Sequence, residues 1–303
     1  MTPSPFAHPP TPESAGGGPR FGITILPEHR WADAAPMWRE AEAMGFAHAW
    51  TYDHLVWSGL QEAPWFAAAP TLAAAAGVTE RIGLGTFVSS PNYRHPYVAY
   101  RDIISLDDIT GGRYLAGLGT GGQLDAGILG DDLPLKTRVD RFHEFVRVLD
   151  RLMREDRVDH DGQHYRTVAA RTAPGPTQRP RTPFVIAANG PRSIRLAVEL
   201  GDGWVTTGPR AETEEEWWEG LKSLTERVDR ALAAAGRTHI DRYLNLDSGP
   251  AFALESVTRW EDMVGRASAL GFTDLITHWP RPDGPYAGSE ATLAEVASRS
   301  LRQ

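Results

Sequence analysis

The chain contains no cysteine, which excludes disulfides, thiolate metal sites and cysteine nucleophiles. Lysine is nearly absent, with only Lys136 and Lys222 among 31 basic residues, and 39 acidic residues leave a formal net charge of -8. That balance excludes a broad phosphate-binding face, so no nucleic-acid partner is expected. No apolar run comes near the roughly 20 residues that cross a bilayer, so no membrane partner is expected either. HExxH, Walker and GxSxG patterns are missing, which removes metalloprotease, nucleotide-hydrolase and α/β-hydrolase readings. No histidine spacing suits a metal, His143, His160 and His164 included, and no metal site is expected.

What remains is ordinary globular material, 41% hydrophobic and 23% charged over 303 residues, a length that suits two average domains or one α/β barrel. Residues 1–19 are rich in proline, glycine and serine and lack the basic start and apolar centre of a secretory signal. A disordered N-terminal tail and a cytoplasmic setting are expected. From residue 20 onward short β-like runs alternate with helix-like stretches, the pattern of a parallel sheet wrapped by helices. Strands are predicted at 21–26, 46–52, 81–89, 113–119, 184–188, 203–207, 243–247 and 273–277. Helices are predicted at 32–44, 65–77, 97–109, 136–155, 191–201, 212–235, 256–270 and 289–301. Residues 156–182 break the rhythm and read as a hairpin and surface loop inserted between the fourth and fifth strands. Eight units without a composition shift predict a single (β/α)8 TIM barrel over residues 20–303.

The second predicted strand ends in Asp53-His54. Barrel enzymes do their chemistry at the carboxyl ends of strands. An imidazole there can exchange a proton near neutral pH, and a neighbouring carboxylate can fix its tautomer or hold a hydroxyl; an Asp-His pair also suits a plain turn or cap. The third strand carries Gly83 and Gly85 before Thr86, Phe87 and Val88, and such glycines mark either tight packing or the approach of a ligand. Gly119-Thr120-Gly121-Gly122, at the end of the fourth, opens backbone amides to a planar or anionic ligand. A dinucleotide fold is excluded there because no helix is expected before Lys136. Ala188-Asn189-Gly190 before Pro191, with Thr206 and Thr207 ending the next strand, forms a helix start that suits a phosphate seat or ordinary capping.

The succession TYDH (51–54), GLGTFVSSPNYRHP (83–96), GGRYLAGLGTGG (111–122), RVDRFHEFVRVLDRLM (138–153), PFVIAANGP (183–191) and GDGWVTTG (201–208) resembles the bacterial luciferase-like superfamily over nearly the whole chain after residue 20. Its Asp-His after the second strand is similar to the branch that uses the deazaflavin coenzyme F420 in place of flavin mononucleotide (FMN). The resemblance implies that Asp53 binds the ring-side hydroxyls of the deazaflavin and that His54 gives or takes a proton at the substrate. It implies a non-proline cis peptide at Phe87–Val88 against the ring, a ring-side loop at Gly119, Thr120 and Gly121, and a phosphate seat at Ala188, Asn189, Gly190 and Thr207. Thr86, just before the cis bond, is expected beside the coenzyme.

One departure narrows the substrate. Sugar-phosphate dehydrogenases of this branch carry a glutamate directly after their GTG, where this chain has Gly122, and their basic residues for a substrate phosphate have no clear counterpart here. In their place Trp57, Trp65, Phe66, Tyr93, His95 and Trp279 are expected to form an aromatic mouth. Each alone suits a barrel rim; together they suit a bulky or hydrophobic small-molecule or peptide-like substrate. The expected function is an F420-dependent oxidoreductase that reduces an activated C=C, C=N or C=O bond. Two alternatives stay open: an FMN monooxygenase of the same fold served by a flavin reductase, and a non-catalytic barrel that only binds. A homodimer, usual in the family, is expected.

Overall fold

The structure, a computed structural model, describes residues 18–301. The expected disordered tail therefore falls, apart from Gly18 and Pro19, outside the described residues. Eight parallel strands close into a barrel in the order β1 (Arg20–Thr24), β2 (His48–Thr51), β3 (Gly83–Thr86), β4 (Tyr114–Leu118), β7 (Phe184–Ala187), β8 (Gly203–Thr206), β9 (Asp241–Asn245) and β10 (Asp274–His278), and β10 pairs back on β1. The two remaining strands, β5 (Arg157–Asp161) and β6 (Arg166–Arg171), form an antiparallel hairpin outside the barrel. Helices α1 (Trp31–Met44), α2 (Ala68–Ala76), α3 (Pro96–Ile109), α5 (Leu135–Arg154), α6 (Pro191–Leu200), α7 (Glu214–Ala234), α8 (Val257–Ala269) and α9 (Glu290–Ser300) cover it. This is the TIM barrel, with the expected insertion between its fourth and fifth strands. Among the described residues no helix is long and apolar enough to cross a membrane.

Local chemistry explains the element ends. Gly45 stops α1 with a left-handed φ of 97°, a conformation that needs no side chain. Thr213 and Glu216 form a reciprocal capping box at the start of α7. On α5 the residues Phe142, Phe145, Val146, Leu149, Leu152 and Met153 form one buried stripe, as helical spacing requires. The outer hairpin is pinned to that helix by Glu144, whose carboxylate accepts the His164 and Tyr165 amides at 3.0 and 2.9 Å and meets His160 Nε2 at 3.0 Å.

One expectation about local structure fails. A short helix, α4 (Gln123–Ile128), opens immediately after Gly122, whereas no helix was expected before Lys136. Its six residues carry too little periodicity to be read from the sequence. The exclusion of a dinucleotide fold stands on other ground, since the sheet closes instead of remaining open.

The bore is filled by Trp50, Phe87, Val185, Val205, Tyr243 and Ile276, separately from the larger core between sheet and helices. A β-carbon on Gly85 would stand 2.4 Å from the Trp50 ring, so this glycine serves packing and not a ligand. Below these rings lies a buried polar knot. Arg20 donates to both oxygens of Asp274 at 2.7 and 2.6 Å, and His48 Nε2 meets Asp274 Oδ1 at 3.0 Å. Trp50 Nε1 donates to His48 Nδ1 at 2.6 Å, which leaves the imidazole proton on Nε2 for the carboxylate. Burial opposes ionisation of Asp274, but hydrogen bonds from His48 and Arg20 outweigh it and hold its carboxyl below the usual range.

Asp274→Asn is expected to cost about 3 kcal/mol, because it takes from the partly buried Arg20 one of its two carboxylate partners, Asp241 being the other, and from His48 its only one; urea unfolding measures it. A carboxyl whose folded pKa is depressed contributes its stability in full above the ordinary value near 4 and loses it below. The gap between wild type and variant is therefore expected to shrink as the pH falls below about 4, and a gap independent of pH would remove Asp274 from the account.

Candidate active site

The carboxyl ends of the strands open into a cleft of about 920 Å³. Of the residues expected at a coenzyme, His54, Phe87, Val88, Gly119, Thr120, Gly121, Ala188, Asn189, Gly190 and Thr207 all line it, and Trp57 does so from the aromatic set. The Phe87–Val88 peptide is cis. It brings Val88 so near the next strand that a β-carbon on Gly119 would stand 2.5 Å from Val88 Cγ2. Gly121 takes a φ of 81°, and a β-carbon there would fall 2.7 Å from Ser90. The loop is clamped from outside: Arg138 Nη1 donates to the Gly121 carbonyl at 2.7 Å and Asn92 Nδ2 to the Gly122 carbonyl at 2.6 Å.

His54 is the one imidazole among the residues lining the cleft. Its Nδ1 lies 2.7 Å from Oδ2 of Asp125, whose other oxygen accepts the Leu55 amide at 2.8 Å. Asp125 sits in α4, the helix the sequence did not announce, and is 1% exposed. Burial opposes its ionisation, yet the bond from His54 and those from the Leu55 and Val56 amides outweigh it and hold the carboxyl below the usual range. An ionised carboxylate only accepts, so Nδ1 carries a proton and Nε2 is the nitrogen that can serve a ligand.

The cleft is also lined by the start of a helix. Helix α6 starts at Gly190 with no side chain capping it and with Pro191 in its first turn, which leaves amides and a positive dipole end toward an anion. Asn189 holds this corner: its Oδ1 accepts from Thr206 at 2.6 Å and its Nδ2 donates to the Gly208 carbonyl at 2.8 Å.

Several of the expected residues are not among those lining the cleft. Asp53 is 5% exposed and is not among the residues lining the cleft; its carboxylate is taken up by Ser89, Tyr93 and Arg94. Both residues lie past the end of β2, where Asp53 goes to Arg94 and His54 to Asp125. Thr86 is buried and donates to the Gly117 carbonyl at 3.1 Å. Tyr93 is held on Asp53, and His95 caps α3 through the Tyr97 amide at 3.1 Å. Phe66 is 43% exposed, away from the cleft, and Trp65 braces the His54 carbonyl at 2.9 Å. Trp279 is 5% exposed in the outer core, its indole bonded to Glu290 at 3.1 Å. Of the expected aromatic mouth only Trp57 faces the cleft; the other rims come from Tyr52 and Tyr286.

Sequence reasoning also missed a second polar chain. Asp247, His278, Tyr52 and Tyr286 are linked at 2.8, 2.8 and 3.2 Å. Asp247 and His278 each lie at or just past the end of a barrel strand, and that position was the available signal.

Fold and site together define a TIM-barrel protein with an open cleft at the carboxyl ends of its strands, edged by glycine-rich backbone and by an uncapped helix start. Residues 6–284 match the luciferase-like monooxygenase family, and the chain belongs to that family. Its relatives include an F420-dependent glucose-6-phosphate dehydrogenase of Nocardia farcinica, 34% identical over 203 residues covering 62% of this chain and 57% of the relative. An F420-dependent hydroxymycolic acid dehydrogenase of Mycobacterium tuberculosis is 34% identical over 65% of this chain and 54% of its own length. The chain thus spans less than two thirds of these relatives. Among solved structures, an F420-dependent secondary alcohol dehydrogenase in complex with an F420–acetone adduct superposes with a TM-score of 0.79 at 16% identity, covering 94% of this chain and 100% of that one. The likeness is one of fold.

Asp125→Asn is expected to release the His54 tautomer. Nitrogen-15 spectra of the neutral ring should show Nδ1 largely protonated in the wild type and a mixture of the two tautomers in the variant; identical spectra would detach Asp125 from His54.

Proposed function

We propose that the chain is a coenzyme F420-dependent oxidoreductase acting on a bulky or hydrophobic organic substrate. The observation that carries the reading is that one cleft is lined by an imidazole fixed by a buried carboxylate, by a glycine-rich stretch and by an uncapped helix start. Its support in comparison is that F420-dependent enzymes recur among the relatives.

The residues present fit the group. Phe87, Val88 and the stretch Gly119 to Gly121 would back and flank the deazaflavin ring, where glycine leaves backbone without side chains in the way. Ala188, Asn189, Gly190, Thr207 and the first amides of α6 would hold its phosphate. Bound there, the coenzyme supplies hydride chemistry. The chain's own part is to orient the substrate, exclude water and exchange one proton at His54 Nε2, with Asp125 fixing the ring. Asp53 has no place in this scheme except as the anchor of the Tyr93–Arg94 loop.

Sugar phosphates stay outside the proposal. Gly122 offers open space within 4 Å where the resembling dehydrogenases carry an acid. The ring beside His54 is that of Tyr52, which packs in turn on Trp57, and both suit apolar surface. A homodimer working in the cytoplasm completes the reading, and sedimentation of the purified protein tests the dimer.

Titrating the apoprotein with F420 and with FMN is expected to show tight binding of F420 alone; the reverse would favour the monooxygenase alternative. His54→Ala is expected to lower turnover by roughly two to four orders of magnitude with F420 affinity kept, and undiminished turnover would remove His54 from the reaction. Asn189→Asp should weaken F420 binding, since it sets a carboxylate against the Gly208 carbonyl and beside the phosphate; an unchanged dissociation constant would place the phosphate elsewhere.

A further inference from the structure

The cleft holds a second group of titratable side chains that the scheme above does not use. Asp247 Oδ2 accepts from His278 Nδ1 at 2.8 Å, from the His278 amide at 2.7 Å and from Thr277 Oγ1 at 3.0 Å, while Oδ1 takes the Ala253 amide at 2.9 Å. Every one of these contacts brings a donor to the carboxylate. On the other side of the ring His278 Nε2 meets the Tyr52 hydroxyl at 2.8 Å, and that hydroxyl meets Tyr286 at 3.2 Å. The side chains of Asp247 and His278 are fully buried, and both tyrosines line the cleft.

Each hydroxyl has one hydrogen to give, so the direction of one bond sets the direction of all. While the His278 ring is neutral, its proton is on Nδ1 for Asp247, Nε2 accepts from Tyr52, and Tyr286 donates to Tyr52. All hydrogens then point inward, and the array shows the cleft only oxygen lone pairs. A second proton on His278 reverses the order. Nε2 donates to Tyr52, Tyr52 donates to Tyr286, and the Tyr286 hydrogen turns outward to the cleft. The added proton stays on the imidazole, against the carboxylate of Asp247, and each hydroxyl keeps one hydrogen in both states. Three titratable groups face His278: Asp247 past β9, Tyr52 past β2 and Tyr286 in the loop before α9. Burial foremost pushes the Tyr286 hydroxyl up to about 12 and raises Tyr52 well above its ordinary value, so neither tyrosine ionises where a histidine titrates.

Tyr286 has little freedom to swing aside. Its ring lies against His278 with centroids 3.6 Å apart and planes 7° apart, and stacks on Trp57 at 5.8 Å. Its φ is 64°, a left-handed value that costs a bulky side chain free energy and recurs at functional sites. Tyr52 touches both corners of the cleft floor, its hydroxyl meeting Tyr286 and its ring lying 5.9 Å from that of His54.

We propose that Tyr286 is a seat for a hydrogen-bond donor of the substrate, a hydroxyl or N–H apart from the bond that changes, and that protonation of His278 converts the same seat into one for an acceptor. The inference rests on the hydride-transfer reading of the cleft for one thing alone, that the ligand is its substrate. With His278 neutral, a hydroxyl or N–H donates to the Tyr286 oxygen, whereas a carbonyl or nitrile there sets lone pair against lone pair and is left unpaired. A site built to pair one polar group rejects the analogue that lacks it. The substrate class is therefore a bulky organic molecule that carries a hydroxyl or N–H beside its apolar surface. His278 and Asp247 are positioning residues, which act through the two tyrosines.

The test uses 2-naphthol as a donor probe and 2-naphthonitrile as an acceptor probe, on the protein without coenzyme, in wild type and in Tyr286→Phe, which keeps the ring and removes the hydroxyl. Nitrogen-15 spectra of the histidines follow the titration of His278 between about pH 5 and 8. By linkage, a ligand that prefers the neutral array lowers the midpoint and one that prefers the protonated array raises it. In wild type naphthol is expected to move the His278 midpoint down and naphthonitrile to move it up, and the ratio of their dissociation constants is expected to change about tenfold or more across the titration. In Tyr286→Phe the midpoint should stay in place and the ratio should not depend on pH. A midpoint that neither probe moves in wild type, or that both move alike in wild type and Tyr286→Phe, overturns the seat. Failure of F420 to bind is seen separately in the coenzyme titration, and it overturns the coenzyme reading while leaving these shifts in place.

Discussion

The carboxylate of Asp274 joins the two ends of the barrel. It stands on β10, the last strand, and takes hydrogen bonds from Arg20 on β1 and His48 on β2, so three strands far apart in the chain share one buried charge. Removing a charge from water is costly unless partners replace the lost hydration, and those partners are supplied only when the strands are in register. The pairing Arg20↔Asp274 and Gly22↔His48 is that register. Gly22 is part of the same constraint, since a β-carbon there would stand 2.1 Å from His48 Nδ1. Above the knot Trp50 and its neighbours fill the bore, and the mouth is what remains open.

Closure brings together groups that have nothing in common in sequence. His54 follows β2, Asp125 belongs to the short helix after β4, and the uncapped helix start follows β7. Each has little meaning by itself. The histidine acquires a fixed tautomer only because Asp125 lies within 2.7 Å, and Asp125 is held ionised only because His54 and backbone amides face it. The same logic, run from the other side of the mouth, links Asp247 to Tyr286 through His278 and Tyr52.

Much of this was legible beforehand. All eight barrel strands and their helices were readable from alternation and helical periodicity, as was the glycine-rich wall, because spacing and backbone freedom are local properties. The roles assigned to adjacent or loop residues were less secure. Asp53 and His54 are neighbours in sequence but take different partners, Arg94 for one and Asp125 for the other, which only the packing of distant elements decides. His95 and Trp279 looked like mouth residues because they follow strand ends, yet one caps a helix and the other packs under α9.

Sequence by itself determined the architecture, the lack of thiol chemistry and the backbone surfaces of the cleft, for these depend on residue type, order and period. Tertiary structure alone decided which polar side chains meet. Asp125 with His54 and Asp247 with His278 are contacts across 71 and 31 positions, and Tyr52 with Tyr286 spans 234. Such pairings are set by how a closed sheet with fixed shear places its strand ends around one rim, which no local pattern encodes.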